Sequence, residues 1–364
     1  MSTAPTLPVT SSPSLLVGSR RIPVVLPSRR DPRLRLSIVI IALQILGQTS
    51  LGFKLSIAQI LVSVAVAAAI ETAVTWHRVR MLVWPASAFL TGNSVAFILR
   101  ATGTRHGDWW SLHGIQFFIL AVVLSLLSKY LIRIDGRHVF NPSNVGLVWV
   151  LLVIGPAHVF PQYLWWGPLG TALTLALIVI VAGAVWVLRS VRMMAMAAAF
   201  LLVFAALVGI FAAAGQTFVA IWHAGPISGS AYWRYICLSP EVLVFVFFMM
   251  SDPKTAPRSR TGQIAFGAGT AAVAALLLLF QPTEYGVKVA ILASLTVTTA
   301  LARLPRHQRR SGHLFDDALR GLRVPAAAAA VVIAVAAPID TLALARDRQI
   351  TYLEQGFTGT HNPQ

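Results

Sequence analysis

The chain has 364 residues, of which 57% are hydrophobic and only 11% are charged, and its formal net charge is +17. Soluble domains carry about 25% charged residues, so this composition excludes an ordinary soluble protein. The basic residues form short clusters between long apolar runs, a pattern that argues against nucleic-acid binding and is typical of membrane proteins. The single cysteine, Cys237, excludes an intramolecular disulfide and a cysteine-ligated cluster within this chain.

The apolar segments predict membrane-spanning helices. Residues 1–33 are rich in Pro, Ser and Arg and lack the apolar core of a signal peptide, so we expect a disordered cytoplasmic tail there. After this tail, segments of the length that a bilayer core requires follow one another. They predict spans at about 36–53, 55–75, 81–99, 112–132, 144–160, 168–188, 193–214, 237–251, 263–281, 287–303 and 324–344. The last two are short or Ala-rich, so a count of ten is the alternative.

The positions of Lys and Arg between the spans predict the orientation. With the N-terminus in the cytoplasm, 22 of these residues fall inside and 7 fall outside, and the opposite orientation reverses this ratio. We therefore expect a multi-pass protein of the cell (plasma) membrane with a cytoplasmic N-terminus. Its transmembrane core would cover 34–303. A basic cytoplasmic segment at 304–323 would lie along the anionic inner leaflet, followed by a C-terminal helix at 324–346 and a tail at 347–364.

The sequence FNPSN, residues 140–144, is the first of three polar interruptions. Pro142 disfavours helical structure at Asn141, and Ser143 or Asn144 can cap the helix that follows. The first N–H groups of such a helix carry partial positive charge and bind anions, phosphates or polarised carbonyls. The alternative is an ordinary helix start at the inner membrane interface.

The second interruption is SDPKT, residues 251–255. Asp252 and Pro253 end the eighth predicted span, and Lys254 and Thr255 follow at once. The turn therefore offers a carboxylate, an ammonium and a hydroxyl group close to the first turn. The alternative is a cytoplasmic loop after a helix that ends at proline.

The third predicted span, WPASAFLTGNSVAFIL, contains Thr91, Gly92 and Asn93 inside an apolar crossing. Broken helices at membrane depth occur where protein or water covers the freed backbone, and such breaks mark binding sites in transporter-like folds. Counting five spans from each half gives an inverted repeat in which span three matches span eight. We expect the three interruptions to converge on one polar cavity.

Two carboxylates, Glu71 and Glu241, fall inside predicted spans. Intramembrane carboxylates often serve proton or cation paths, and the alternative for both is a position at the membrane interface. Nine histidines lie mostly at span ends or in loops, without a pair at i, i+4 inside one span, so no metal site is predicted. No Walker loop or dinucleotide fingerprint occurs, so ATP or NADH would have to bind another protein.

These turns resemble those of a known family. "FNPSNVGL" is similar to the Asn-Pro turn in the D subunit of the Rnf electron-transport complex, and the B subunit of the sodium-pumping NADH:quinone reductase has a related turn. "FFMMSDPKTAP" is similar to their Asp-Pro turn, and "AFLTGNSVAF" lies where they have a Thr-Gly break. Together with "WWGPLG" at 165–170, the first two turns also resemble the UnbU-like membrane proteins encoded in actinobacterial enediyne antibiotic clusters.

The resemblance covers about 35 to 305 and implies a fold and a cofactor. The implied fold is an all-α polytopic membrane protein with a ten-helix core of two inverted five-helix halves, to which the sequence adds the C-terminal helix. The implied cofactor is FMN or riboflavin between the halves. The ion-pumping relatives esterify flavin to a Ser/Thr-Gly-Ala-Thr motif that is missing here, so the flavin is expected to be non-covalent. The residues expected near it are Thr91, Gly92, Asn93, Asn141, Pro142, Ser143, Asn144, Asp252, Pro253, Lys254 and Thr255.

The leading functional hypothesis is a flavin- or quinone-linked electron-transfer component of the membrane that works with a soluble redox partner on the cytoplasmic side. A role in enediyne biosynthesis follows from the second resemblance. The alternative is a permease or exporter for a small organic solute or secondary metabolite, with the broken helices as its binding site. A third alternative is a scaffold that recruits soluble enzymes through its basic loops.

Overall fold

The computed structural model describes residues 14–17, 20–28, 31–134, 136–163 and 170–307. These residues are mostly helical, which confirms the prediction of an all-α polytopic membrane protein. Within the described residues, six helical segments are long and apolar enough to cross a membrane: Ile57–Val79, Thr171–Val191, Met194–Ala213, Gly229–Met249, Arg260–Leu278 and Glu284–Arg303. The predicted segments 304–323 (beyond residue 307), 324–346 and 347–364 lie outside the described residues.

The helices follow the first ten predicted spans in order. They are α1 Pro32–Ser50, α2 Ile57–Val79, α3 Ala86–Ile98, α4 Ile115–Leu131, α5 Pro142–Ile154, α6 Thr171–Val191, α7 Met194–Ala213, α8 Gly229–Cys237, α9 Pro240–Val244 with the π-helical turn Phe245–Met249, α10 Arg260–Leu278 and α11 Glu284–His307. Short strands connect them: β1 Ser14–Val17, β2 Arg20–Val25, β3 Leu82–Val83, β4 Leu99–Ala101, β5 Arg133–Ile134, β6 Arg137–His138 and β7 Val159–Pro161.

Three helices begin at the same kind of sequence, a polar residue followed by proline. Asp31, Asn141 and Ser239 each accept a hydrogen bond from a backbone N–H of the first turn, and proline occupies the first helical position. Proline is suited to this position because its missing N–H would be unpaired there in any case. In the eighth span, Ser239 and Pro240 separate α8 from α9. Because α8 precedes this point, the helical segment begins at Gly229, earlier than the predicted residue 237.

Helices α3 and α5 have 13 residues each, or about 20 Å at 1.5 Å per residue, which is less than the ~30 Å bilayer core. Helix α3 continues directly into β4, and α5 is followed by a turn and then by β7. Strand β4 pairs antiparallel with β7, with Leu99 opposite Pro161. Both strands are buried. Pairing supplies the backbone hydrogen bonds that water cannot supply at this depth.

The predicted break of the third span at Thr91, Gly92 and Asn93 is wrong, because α3 is continuous there and ends at Ile98. The Thr91 hydroxyl donates to the Ser87 carbonyl one turn earlier, at 2.9 Å. A Cβ atom on Gly92 would lie 2.5 Å from the Ser63 carbonyl oxygen of α2. The glycine therefore serves close helix packing, in the manner of small residues at membrane helix interfaces.

The helices pack in corresponding pairs within the two halves of the chain. In the first half, α2 packs against α3 and α4, and α4 packs against α5. In the second half, α7 packs against α8 and α10, and α10 packs against α11. Contacts of α1 with α6, and of α5 with α11, join the halves. The inverted repeat itself stays a prediction.

A β-hairpin lies within the segment that was expected to be a disordered tail. Strand β1 pairs antiparallel with β2, and Val24 and Val25 of β2 pair in parallel with Leu82 and Val83 of β3. The expectation of disorder over 1–33 therefore does not hold for these strands. Val24 and Val25 obtain backbone partners from the chain that leads into α3. Residues 1–13 lie outside the described residues.

Candidate functional site at the junction of two polar turns

The FNPSN turn is held to the end of the eighth span by the Asn141 side chain. Its Oδ1 atom accepts from the Asn144 backbone N–H at 3.3 Å and from the Ser143 hydroxyl at 3.0 Å. Its Nδ2 atom donates to the Met249 carbonyl oxygen at 2.9 Å. One side chain thus caps α5 and binds the last residue of the π-helical turn, three residues before Asp252.

Asn144 connects the same turn to α11. Its Nδ2 atom donates to the Leu292 carbonyl oxygen at 2.9 Å, and its Oδ1 atom accepts from the Thr296 hydroxyl at 2.8 Å. Asn144 is only 1% exposed. Nearby, Val145 packs in one apolar cluster with Ala300 of α11. The first half of the chain is therefore joined to the second half through both polar and apolar contacts.

The SDPKT turn is closed by hydrogen bonds of its own. Asp252 Oδ1 accepts from the Lys254 backbone N–H at 3.0 Å, and the Asp252 carbonyl oxygen accepts from the Thr255 N–H and hydroxyl at 3.1 and 3.3 Å. The other carboxylate oxygen lies 3.4 Å from His138 Nε2, just ahead of FNPSN. We call the contact between the two turns and α11 the junction. Pro253 and Lys254 are exposed at its edge, whereas Thr255 is buried.

The structure therefore brings together two of the three predicted interruptions. Asn141 to Asn144 and Asp252 to Thr255 share the junction, and Pro142 is buried within it. The third group lies on α3, where Thr91 bonds within its own helix and Gly92 packs against α2. Asn93 is buried, at 7% exposure. The assignment of these residues to a cofactor stays a prediction.

The two predicted carboxylates are half-buried, and each forms an ion pair with a buried lysine. Glu71 Oε2 lies 2.5 Å from Lys129 Nζ and accepts a hydrogen bond from the Tyr130 hydroxyl. Lys129 also donates to the Ser87 hydroxyl at 3.3 Å, so this pair joins α2, α3 and α4. Glu241 of α9 pairs with Lys288 of α11 at 2.7 Å. Their predicted role in a proton or ion path stays a prediction.

Sequence reasoning missed the partners of Glu241. Lys288 Nζ lies 2.7 Å from Glu241 Oε1 and also 2.7 Å from Glu284 Oε1, and its side chain is only 6% exposed. We call these three residues the lysine cluster. A signal was present, because Glu284 and Lys288 are four residues apart in an apolar helix, the spacing at which helical side chains meet.

Aromatic rings and further polar groups surround the lysine cluster. Lys288 Nζ lies 4.6 Å from the ring centroid of Tyr163, and Arg100 Cζ lies 4.5 Å from the same ring. Arg100 Nε and Nη1 and both amide atoms of Gln162 are buried and make no hydrogen bond within the described residues. Both side chains belong to the β4–β7 region, so the strand pairing positions them beside the cluster.

A small cavity of about 30 Å³ lies next to the lysine cluster. Its lining includes Gln162, Glu241 and Lys288, and also Met249 and Leu292. The carbonyl groups of Met249 and Leu292 are those that Asn141 and Asn144 bind. The cavity has room for one or two water molecules, and it borders residues of the lysine cluster as well as the two residues that the FNPSN turn binds.

The junction residues do not fit a flavin ring held between the two turns. The side-chain amides of Asn141 and Asn144, and the Thr255 hydroxyl, are engaged by protein groups. Binding sites for organic cofactors occupy about 300–1,000 Å³, far more than the cavity beside the junction. The arrangement suits a rigid contact between the two halves next to a water-sized space.

Residues 161–309 match a family model described as the NQR2, RnfD, RnfE family. The match includes Glu241, the SDPKT turn and Lys288, whereas FNPSN and the Thr-Gly pair lie before it. No curated protein matches the chain. The family match supports a relationship with the RnfD-like superfamily over this part of the chain, and members of that family are generally associated with flavin and with partner subunits.

Proposed function

We propose that this chain is the membrane-embedded subunit of an RnfD-like electron-transfer system. The observation that carries the proposal is the family match over 161–309, to which the FNPSN turn is attached from outside the matched segment. Asn141 and Asn144 bind the Met249 and Leu292 carbonyls of that segment. Both motifs that resemble the Rnf D subunit therefore meet at one junction, as expected of a shared functional element.

The redox partner is proposed to bind the face that carries the SDPKT turn. Lys254 is exposed there, and the Arg303 guanidinium donates to the Lys254 and Thr255 carbonyl oxygens at 3.4 Å. The loops predicted to lie on this face hold most of the basic residues, so the positive-inside rule predicts that it is the cytoplasmic face. A soluble protein with an acidic surface would be attracted to it.

A non-covalent flavin or quinone is proposed where the chain meets this partner, because the space between the turns does not fit a ring. The group would supply the redox chemistry when bound. The chain's own contribution is positional: Asn141 and Asn144 fix the two halves, and the Asp252–His138 contact orients the exposed turn. The buried lysine cluster keeps charged groups compensated within the membrane.

The proposal is tested on the tagged full-length chain, purified with its native partners in mild detergent. We expect a visible flavin spectrum that dithionite bleaches, and flavin that acid extraction releases without proteolysis. The same chain purified alone should retain much less flavin. A native complex that is colourless, and that cannot be reconstituted with flavin or quinone, would contradict electron transfer.

Genomic context separates the two resemblances. Neighbouring genes for iron–sulfur and flavoprotein subunits are expected for an Rnf-like system. Neighbouring polyketide synthase genes would assign the chain to the enediyne branch and give the electron-transfer step a biosynthetic role.

A permease is the second candidate, and the unbonded donors of Arg100 and Gln162 near the cavity favour it. A path for a small solute needs such groups at membrane depth. In proteoliposomes, Glu241→Gln should then abolish flux of the solute, while Glu71→Gln, a matched carboxylate outside this cavity, should retain it. Equal flux for both variants would exclude the cavity as the path.

A further inference from the structure

We propose that Lys288 is a tethered cation that fills a position for a free alkali-metal ion, formed by Glu241 and Glu284. The Lys288 ammonium lies at the same distance, 2.7 Å, from one oxygen of each carboxylate. Glu241 comes from α9 and Glu284 from α11, so two elements converge on one point. Two carboxylate oxygens around a single buried charge form the kind of hard oxygen donor set that binds alkali cations.

The charge balance of the surroundings supports this interpretation. Lys288 is 6% exposed, and among the described residues the charged groups around it are Glu241, Glu284 and, across the Tyr163 ring, Arg100. Two carboxylates thus face two cations. A buried carboxylate without a compensating charge is strongly destabilising, so removal of the ammonium favours the binding of another cation.

The cavity supplies a second, independent observation. Gln162 is only 2% exposed, lines the same cavity as Glu241 and Lys288, and has both amide atoms unbonded within the described residues. Its Oε1 atom is a neutral oxygen donor at the cavity that the Glu241 carboxylate also lines. The cavity has room for the water molecules that would complete the coordination of a small ion.

The consequence is that the native chain has no requirement for Na⁺ at this site, because its own side chain fills the position. Loss of the ammonium should turn the cluster into a site for Na⁺. This inference does not depend on electron transfer, and its test measures cation binding alone.

The test uses full-length protein purified in detergent and thermal unfolding in NaCl, KCl and choline chloride at equal ionic strength. Wild type should show the same Tm in all three salts. Lys288→Met should unfold at lower temperature in choline chloride and recover by about 4 °C or more in NaCl, the shift expected for a ligand well above its Kd. Lys129→Met, which leaves the single carboxylate of Glu71, is the matched control and should lose stability equally in all salts.

A specific effect of NaCl on wild type would overturn the proposal, and so would a Lys288→Met variant that responds to neither alkali cation. Lys288→Gln, with a side chain of similar length, repeats the test with better filling of the space. If neither variant yields folded protein in NaCl, the two carboxylates do not accept Na⁺ in place of the ammonium, and the proposal is likewise overturned.

Discussion

Asn144 joins the two halves of the chain through its side chain. Asn144 lies in the first turn of α5, and its side-chain amide binds a backbone carbonyl and a hydroxyl group of α11. Asn144→Ala leaves the Leu292 carbonyl and the Thr296 hydroxyl buried without this partner. A buried polar group without a partner costs about 1–3 kcal/mol, so we expect the free energy of unfolding to fall by about 2 kcal/mol or more, as measured by thermal unfolding in detergent.

Two comparisons control this prediction. Thr49→Ala removes a similar hydrogen bond, to the Ile45 carbonyl, at an exposed site of α1, and exposed substitutions usually change stability by less than about 0.5 kcal/mol. Thr296→Val removes only one of the two bonds, and the double variant should be less destabilised than the sum of the single variants because the residues share a contact. Additive effects would contradict the direct role of the Asn144 side chain.

Asp31 gives a pH-dependent prediction at the start of α1. Hydrogen bonds from the Arg33 side chain are the main cause that lowers the pKa of Asp31 below its usual 3.8, and burial opposes them. Because the pKa of Asp31 is lower in the folded state than in the unfolded state, the charged carboxylate stabilises the fold at pH values above its unfolded-state pKa. This stabilisation is lost as pH falls through the folded-state pKa. Asp31→Asn keeps a good N-cap and loses the charge. The Tm difference between wild type and this variant should be present at neutral pH and vanish in acid, and a constant difference would contradict it.

At the scale of elements, small residues set how closely the helices approach. Gly92→Ala would place a methyl group 2.5 Å from the Ser63 carbonyl oxygen of α2, so the helices must move apart, at a cost of about 1–3 kcal/mol. Gly269 in α10 is a matched control, because an added Cβ meets no atom within 4 Å. Gly269→Ala should raise Tm slightly through helix propensity, whereas Gly92→Ala should lower it. Equal shifts for both variants would argue against close packing at Gly92.

The elements also show where sequence patterns are informative. Apolar length predicted the ten helical segments, and Asn-Pro and Ser-Pro are recognisable helix starts because proline suits the first helical position. The Thr-Gly pair misled the prediction, since Gly92 can either break a helix or permit close packing and the sequence alone does not distinguish the two. The β4–β7 pairing joins residues about 60 positions apart, for example Leu99 and Pro161, and no local pattern indicates such a partner.

At the scale of the whole molecule, the same limit explains what was predicted of the site and what was missed. The meeting of FNPSN and SDPKT was predicted because polar turns next to apolar spans are few and need partners. Lys288 was missed because it lies in an apolar run that predicts a span, and Glu241 of α9 becomes its neighbour only through the tertiary fold. The cavity depends on that tertiary contact and has no sequence signature.

The loops of the chain divide into two faces, and this division predicts the orientation in the membrane. On one face, Arg303 contacts Lys254 and Thr255, and His138 contacts Asp252. On the other, the start of α2 binds the loop before α4, where the Ile57 N–H donates to the Trp109 carbonyl oxygen at 2.8 Å.

In a Cys237→Ala background, a cysteine replacing exposed Trp110 should react with a membrane-impermeant maleimide on intact cells. A cysteine replacing Lys254 should react only after permeabilisation, because the positive-inside rule places the basic face in the cytoplasm. In the wild-type chain, which has Cys237 as its single cysteine, this buried residue should stay unlabelled while the protein is folded, which controls for unfolding. The reverse labelling pattern would invert the orientation, and it would move the proposed partner-binding face to the outside of the cell.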